Sequence, residues 1–301
     1  MKIFVYSCRD DERELFEKYE KKWNLELGYC KEQPTMENAE LAKGYSCITV
    51  VGTKISEELL EKLYDTGVRC ICARCIGVDH IPLEKAKELG IRVSNITYSP
   101  NAVADYAILL MLMCLRREKY ILERYRVHDY SLAWNRGREL RDMTVGIVGG
   151  GRIGRTVMKQ ISGFGCKILV YDHYEMDEVK KYASYVDYET LLKSSDIITF
   201  HAPGTAETHH MLNLDNVSLL KKDVIIINTS RGSNIDTKAL IYGLEKGIIS
   251  AAGLDVLDNE PTIYNIDHKN TLLKDHDVAV LESYPNVVIT PHTAFFTDHA
   301  V

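Results

Sequence analysis

No stretch of this 301-residue chain is long and apolar enough to span a bilayer. The most apolar run, Ala107–Leu115, is bounded by Asp105 and by Arg116–Arg117, well short of the ~20 residues a spanning helix takes. The opening residues, MKIFVYSCRDDERELF, lack the long apolar region and small-residue cleavage site of a secretory leader. There is no basic excess either. Lys and Arg number 37 against 43 Asp and Glu, for a net charge of −6, which argues against a nucleic-acid partner. Low-complexity tracts and repeats of solenoid length are missing. Eight cysteines are scattered through the chain, with one C-x-x-C (Cys72–Cys75) and no second such pair of the kind a zinc site would want. They are expected to act as small apolar side chains, with no metal, in a reducing cytoplasm.

With 46% apolar and 27% charged residues, the composition is that of a globular protein, and the length suggests about two domains. Short β-branched runs alternate with helical patterns, the mark of an α/β chain with mostly parallel strands. Strands are expected at 2–6, 47–51, 68–73 and 91–95. Between them, SEELLEKLYDTG (56–67) offers Ser56 as a helix cap and Gly67 as its close, and PLEKAKELG (82–90) repeats the scheme. Ser99 and Pro100 then open a single long helix over 101–126. After a polar connector at 128–143, further strands are expected near 144–148, 167–171, 196–200, 224–228, 249–255 and 286–290.

That second series begins with TVGIVGGGRIGR. Gly149, Gly151 and Gly154 have the G-x-G-x-x-G spacing directly after a strand and at a helix start. The first permits the tight turn, the second lets a pyrophosphate reach the backbone, and the third lets helix pack on strand. The helix N-terminus adds amide donors and a favourable dipole. The next strand, KILVYD, ends in Asp172, 18 residues after Gly154. An acid there can bind both ribose hydroxyls of an adenosine and disfavours a 2′-phosphate, and no arginine follows it to accommodate one. NAD is the cofactor expected.

Arg231 stands in INTSRGSNID, directly beyond the apolar VIII. A charge in such a place needs a partner. Glu260 in GLDVLDNEP and His292 in ITPHTA also follow predicted strands, and open parallel sheets bind ligands beyond the carboxyl ends of their strands. Taken singly, each has an ordinary explanation as an ion-paired, turn or surface residue.

Taken together, SRG, NEP and PHTA, 29 and then 32 residues apart behind a dinucleotide loop, resemble the NAD-dependent D-2-hydroxyacid dehydrogenases. RCIGVDHI (74–81), YSPNAVAD (98–105), HAP (201–203) and AGLDVLDNEP (252–261) extend the resemblance along the whole chain. Within the family the D-lactate dehydrogenase branch is most similar. RGRELRDMTVG (136–146) and ITPHTAFFTDHAV (289–301) look especially like the pyruvate reductases associated with vancomycin resistance.

The resemblance implies an α/β fold of two Rossmann-like parallel-sheet domains separated by a cleft. The substrate domain would comprise residues 1–99 plus 295–301 and the NAD-binding domain residues 100–294, in a homodimer. Family members continue for about one more long helix past the position of Val301. By the same resemblance Arg231 anchors the carboxylate of a 2-oxo acid, where a guanidinium offers two parallel N–H bonds. His292 is the acid–base group and Glu260 its orienting partner. An adjacent carboxylate favours the imidazolium, so reduction is expected to fail at high pH. Ile76 and Gly77 supply a second carboxylate contact through their backbone, and Tyr98 and Phe295 wall the pocket. Arg152, Ile153, Ala202, Pro203, Thr208, Thr229, Ser230 and Asp255 join the glycine loop and Asp172 around the cofactor.

The activity so implied is reversible reduction of pyruvate to D-lactate. At VVGTKIS (50–56) some lactate enzymes place an aromatic residue, whereas Gly52 and Thr53 stand here. That keeps a larger substrate, such as 2-oxobutyrate, 2-oxoisocaproate or 2-oxoglutarate, as the alternative. A third reading is an NADH-sensing scaffold without turnover.

Overall fold

A computed structural model describes residues 1–52, 54–258, 269–271 and 274–300. They form two compact units, Met1–Tyr98 and Ser99–Ala300. Each is built on a sheet whose strands all run parallel, as the alternating pattern of the sequence requires.

The first unit runs β1 (Lys2–Val5), α1 (Asp10–Trp23), β2 (Glu26–Tyr29), β3 (Cys47–Val50), α2 (Glu57–Asp65), β4 (Cys70–Ala73), α3 (Leu83–Glu88) and β5 (Arg92–Asn95). Its strand order is β2-β1-β3-β4-β5. One face, carrying Ile48, Val50, Ile71 and Ala73, closes on Leu59, Leu60 and Leu63 of α2 and Ala86 of α3. Helix α2 starts where expected, because the Ser56 hydroxyl accepts the Leu59 N–H at 3.2 Å and satisfies one orphan donor of the first turn. Arg74, one step beyond β4, ties strand ends together. Its guanidinium donates to the carbonyls of Tyr6 (3.0 Å) and Ser7 (2.9 Å) and to Thr49 Oγ1 (3.2 Å), and lies 3.4 Å from Glu12 Oε1.

The second unit contains α4 (Asn101–Arg116), α5 (Glu118–Arg126), β6 (Thr144–Val148), α6 (Arg152–Ile161), β7 (Lys167–Tyr171), β8 (Ser184–Tyr185), α7 (Tyr188–Ser194), β9 (Ile197–Phe200), β10 (Val224–Asn228), α8 (Thr237–Glu245), β11 (Ile249–Leu254), α9 (His276–Ser283) and β12 (Val287–Ile289). The seven strands lie in the order β12-β11-β10-β9-β6-β7-β8. Chain order reverses at β6, between β7 and β9, and such a switch point is where open α/β sheets open a crevice at the strand carboxyl ends. Every residue of β10 is buried, as expected of a central strand covered on both faces.

Three features depart from the sequence reading. Strands β2 and β8 were not expected; ELGY and SY lack the apolar alternation that marks a strand. The helix expected over 101–126 breaks at Arg117, whose φ of 56° is left-handed. Beyond that break the chain crosses back over the end of α4, where Arg138 N–H donates to Leu115 O at 3.0 Å. Finally, residues 295–300, expected with the first domain, fall in the second unit. Their turns run on from the loop after β12, with Phe296 N–H donating to Thr293 O and Ala300 N–H to Thr297 O. No helix among the described residues is long and apolar enough to cross a membrane.

Candidate active site

The glycine turn sits at the carboxyl end of β6, at the switch point. Gly149 adopts φ +100°, and a Cβ there would meet His201 C at 2.8 Å and Ala202 N at 2.9 Å. Gly154 is tighter still, since its Cβ would fall 2.0 Å from Gly149 O. Gly151, the N-cap of α6, has nothing within 4 Å of that position. Two glycines are therefore demanded by packing, while the middle one leaves open space before a helix N-terminus, as an approaching pyrophosphate needs.

Asp172 comes directly after β7 and turns toward this loop. Its Oδ2 accepts Gly150 N–H at 2.6 Å and its Oδ1 accepts Tyr174 N–H at 2.9 Å. A carboxylate has about four acceptor positions, so two hydroxyls can still be bound. Arg152 is exposed and Ile153 half-buried at the start of α6.

The strands on the other side of the switch point supply the remaining predicted residues. Beyond β9, Ala202 is buried and its carbonyl accepts from Asn234 Nδ2. Pro203 O accepts the hydroxyl of buried Thr208 at 2.5 Å. Beyond β10, Ser230 is fixed by two hydrogen bonds to Asn228 Oδ1. The buried atoms Thr229 Oγ1 and His201 Nδ1 have no protein partner. Enclosure pushes the His201 imidazole down to a pKa of about 3, so the ring is neutral and its Nε2 meets Thr199 Oγ1 at 3.0 Å.

Arg231, Asp255 and His292 follow β10, β11 and β12, three neighbouring strands, and a continuous run of hydrogen bonds links their backbones. Asn228 Nδ2 donates to Arg231 O at 2.9 Å. Asp255 N–H donates to Asn228 O at 2.9 Å, and His292 N–H donates to Asp255 O at 2.8 Å. Gly232 lets the Arg231 turn press on the next loop, for a Cβ there would lie 2.0 Å from Leu257 C. On its other side the Arg231 stem packs over Gly204, 3.1 Å from where a Cβ would stand.

Asp255 is fully buried, and its carboxylate is largely occupied by the loop that carries the histidine. Oδ1 accepts from Thr290 Oγ1 (2.6 Å) and Thr293 N (2.9 Å), and Oδ2 from Ala294 N (2.8 Å). His292 itself takes φ +51°, and its ring meets that of Phe295 edge-on at 6.1 Å. Asn228 and Thr293 escaped the sequence reading. A polar residue closing the otherwise apolar VIIIN strand was the signal for Asn228.

Glu260 lies outside the described residues. Ile76, Gly77 and Tyr98 belong to the first unit, where Ile76 O accepts from Asn95 Nδ2 at 2.7 Å and Gly77 O accepts from the Cys75 thiol at 3.1 Å. Tyr98 is half-buried. A cavity of about 570 Å³ in the second unit is lined by residues such as Cys114, Arg138, Asp223, Ser250 and Asn286. Asp223 and Asn286 precede β10 and β12, and Ser250 lies near the start of β11, so this cavity sits at the opposite end of the strands from Arg231 and His292.

Comparison with known proteins agrees with this fold. The profile of the D-isomer specific 2-hydroxyacid dehydrogenase NAD binding domain matches residues 108–294. The chain is 39% identical over 304 residues to an aromatic 2-oxoacid reductase of Clostridium sporogenes, covering 100% of this chain and 92% of the relative. It is also 39% identical over 304 residues to a D-lactate dehydrogenase of Lactobacillus delbrueckii subsp. bulgaricus, covering 100% and 91%. Among solved structures, the pyruvate reductase of Chlamydomonas reinhardtii superposes with a TM-score of 0.90 at 33% identity, covering 100% of this chain and 91% of that one.

Proposed function

The chain belongs to the D-isomer specific 2-hydroxyacid dehydrogenases, NAD-dependent oxidoreductases of small 2-hydroxy and 2-oxo acids, and on that premise we propose that it interconverts pyruvate and D-lactate. The observation that carries the reading is the hydrogen-bonded run from Arg231 through Asn228 and Asp255 to His292. It holds the backbones of Arg231 and His292 beyond the carboxyl ends of β10 and β12, on either side of β11, at the end of the sheet that also carries the glycine turn.

The residues fit the dinucleotide: an open Gly151 at a helix N-terminus, Asp172 turned to the same loop, and buried Thr229 and His201 atoms without protein partners. Bound there, NADH supplies the hydride for the ketone carbon. Arg231 holds the substrate carboxylate through paired N–H bonds and polarises the adjacent ketone oxygen. The His292 imidazolium donates a proton to that oxygen during reduction and takes it back during oxidation. Glu260 is proposed to orient the other ring nitrogen. Phe295 is proposed as a wall of the substrate pocket. Ile76, Gly77 and Tyr98 are proposed as substrate contacts on the family resemblance alone. A homodimer and a cytoplasmic setting complete the proposal; all eight cysteines are free thiols, in keeping with a reducing compartment.

A second reading, a larger 2-oxo acid as substrate, draws on Gly52, where no side chain occupies a position that some lactate enzymes fill with a ring. The reductase from C. sporogenes, named for aromatic 2-oxo acids, favours it too. Measuring kcat/KM for pyruvate, 2-oxobutyrate, 2-oxoisocaproate, 2-oxoglutarate and phenylpyruvate decides. Pyruvate is expected to rank first, and a strong preference for any acid longer than four carbons overturns the assignment. NADH binding without turnover of any of them would point to the scaffold reading.

A further inference from the structure

We propose that Cys47, Cys70 and Cys72 form a binding site for a soft, thiophilic metal ion, copper(I) by preference, held as three thiolates on one face of the first unit's sheet. The C-x-x-C of the sequence is not the grouping the fold makes. Cys75 Sγ turns to Gly77 O at 3.1 Å and lies 4.0 Å from His80 Nε2. The parallel register instead sets Cys47 of β3 directly beside Cys70 of β4. Cys72, two residues further along β4, projects to the same face. The three sulfur atoms all lie within 4.8 Å of one another. Three thiolates around one ion at ~2.3 Å would stand roughly 4 Å apart, so only small side-chain adjustments are needed.

The donor set selects the ion. Among the described residues no fourth cysteine, histidine or carboxylate joins the group. Structural zinc sites are almost always closed by four protein ligands, whereas an all-thiolate set suits copper(I). Cys47 is buried and the other two are half-buried, so the site has a fixed floor and an accessible rim. Ser94 Oγ, on the neighbouring strand β5, lies 3.0 Å from Cys72 Sγ and can donate a hydrogen bond to the thiolate. Binding releases three protons: three thiols and one copper(I) give a trithiolate complex of charge −2. Arg92, the in-register partner of Cys70 on β5, places a cation on the same face to offset that charge.

Cys47, Cys70 and Cys72 are all free thiols in the structure.

The test uses the full chain, fully reduced and free of oxygen, with copper(I) delivered from a competing chelator of known affinity. One ion per chain is expected, with three protons released per ion and an X-ray absorption first shell of three sulfurs. Cys70→Ser and Cys72→Ser should each weaken retention by more than ~100-fold, beyond what loss of an outer partner costs a metal site. Cys75→Ser and Cys30→Ser should leave it unchanged. Circular dichroism checks that each variant is folded; the two half-buried positions carry the test, so buried Cys47 need not be altered. Failure to take copper from the chelator, equal loss in Cys75→Ser, or tighter retention of zinc than of copper overturns the proposal. None of these outcomes bears on the dehydrogenase reading, whose residues lie elsewhere.

Discussion

Asp255 holds His292 twice over. Its carbonyl accepts the His292 N–H at 2.8 Å, and its buried carboxylate accepts Thr290 Oγ1, Thr293 N and Ala294 N from the loop around the histidine. A left-handed backbone costs a residue with a side chain ~1–2 kcal/mol, and His292 sits there at φ +51°. The buried acid is what keeps that loop in one shape.

Asp255→Asn leaves one acceptor oxygen where two are used and turns an NH2 toward backbone donors. A loss of about 1–3 kcal/mol in stability is expected for the unsatisfied groups, with kcat falling more than NADH affinity. Urea unfolding and steady-state kinetics check it. Unchanged kcat would show that the carboxylate does not shape the catalytic loop.

Arg231→Lys keeps the charge but loses the planar pair of donors, a change that is not conservative at a forked carboxylate contact. Losing a hydrogen bond to a charged group costs ~1.5–3 kcal/mol, so kcat/KM for the 2-oxo acid should fall roughly 10- to 150-fold, chiefly through KM. NADH affinity by fluorescence titration should not move. A variant with wild-type KM would remove Arg231 from the substrate site.

Gly154→Ala places a methyl group 2.0 Å from Gly149 O, inside any permitted contact. The glycine turn must shift away from α6, and overpacking of this kind costs ~1–3 kcal/mol or more. The expected result is a weakened NADH complex, with urea unfolding reporting the stability change. Unaltered NADH affinity would contradict the fit of the turn.

His201 gives a pH prediction. Its imidazole is pushed down to about 3 by burial, against ~6.5 in an unfolded chain. Between those values the unfolded state binds the extra proton, so stability rises with pH. This contribution is fully present above about 6.5 and is lost as pH falls toward 3. His201→Gln cannot take up that proton, and its stability should decline less than wild type between pH 7 and pH 4. Parallel declines in urea midpoint would contradict it.

Much of this was readable beforehand because it rests on local pattern. The β6–α6 glycine turn, Asp172 at the end of KILVYD, and Arg231 and His292 beyond apolar strands each declare themselves within a dozen residues. What stayed hidden depends on register and on loop crossings. Nothing in CLRREK announces a left-handed Arg117, because the chain that crosses the end of α4 comes about twenty residues later. Cys47 precedes Cys70 by 23 positions, and only the parallel pairing of β3 with β4 makes them neighbours. The bonds that Asp255 makes to Thr290, Thr293 and Ala294 reach a loop nearly forty residues away, where no local pattern announces them.

Pyruvate-dependent oxidation of NADH, followed by the chirality of the product and compared with His292→Ala, tests the central claim most directly. The account predicts rapid oxidation yielding D-lactate, and a loss of at least ~10²-fold in the variant, the scale of general acid catalysis. L-lactate as product, or a variant as fast as the wild type, would contradict it.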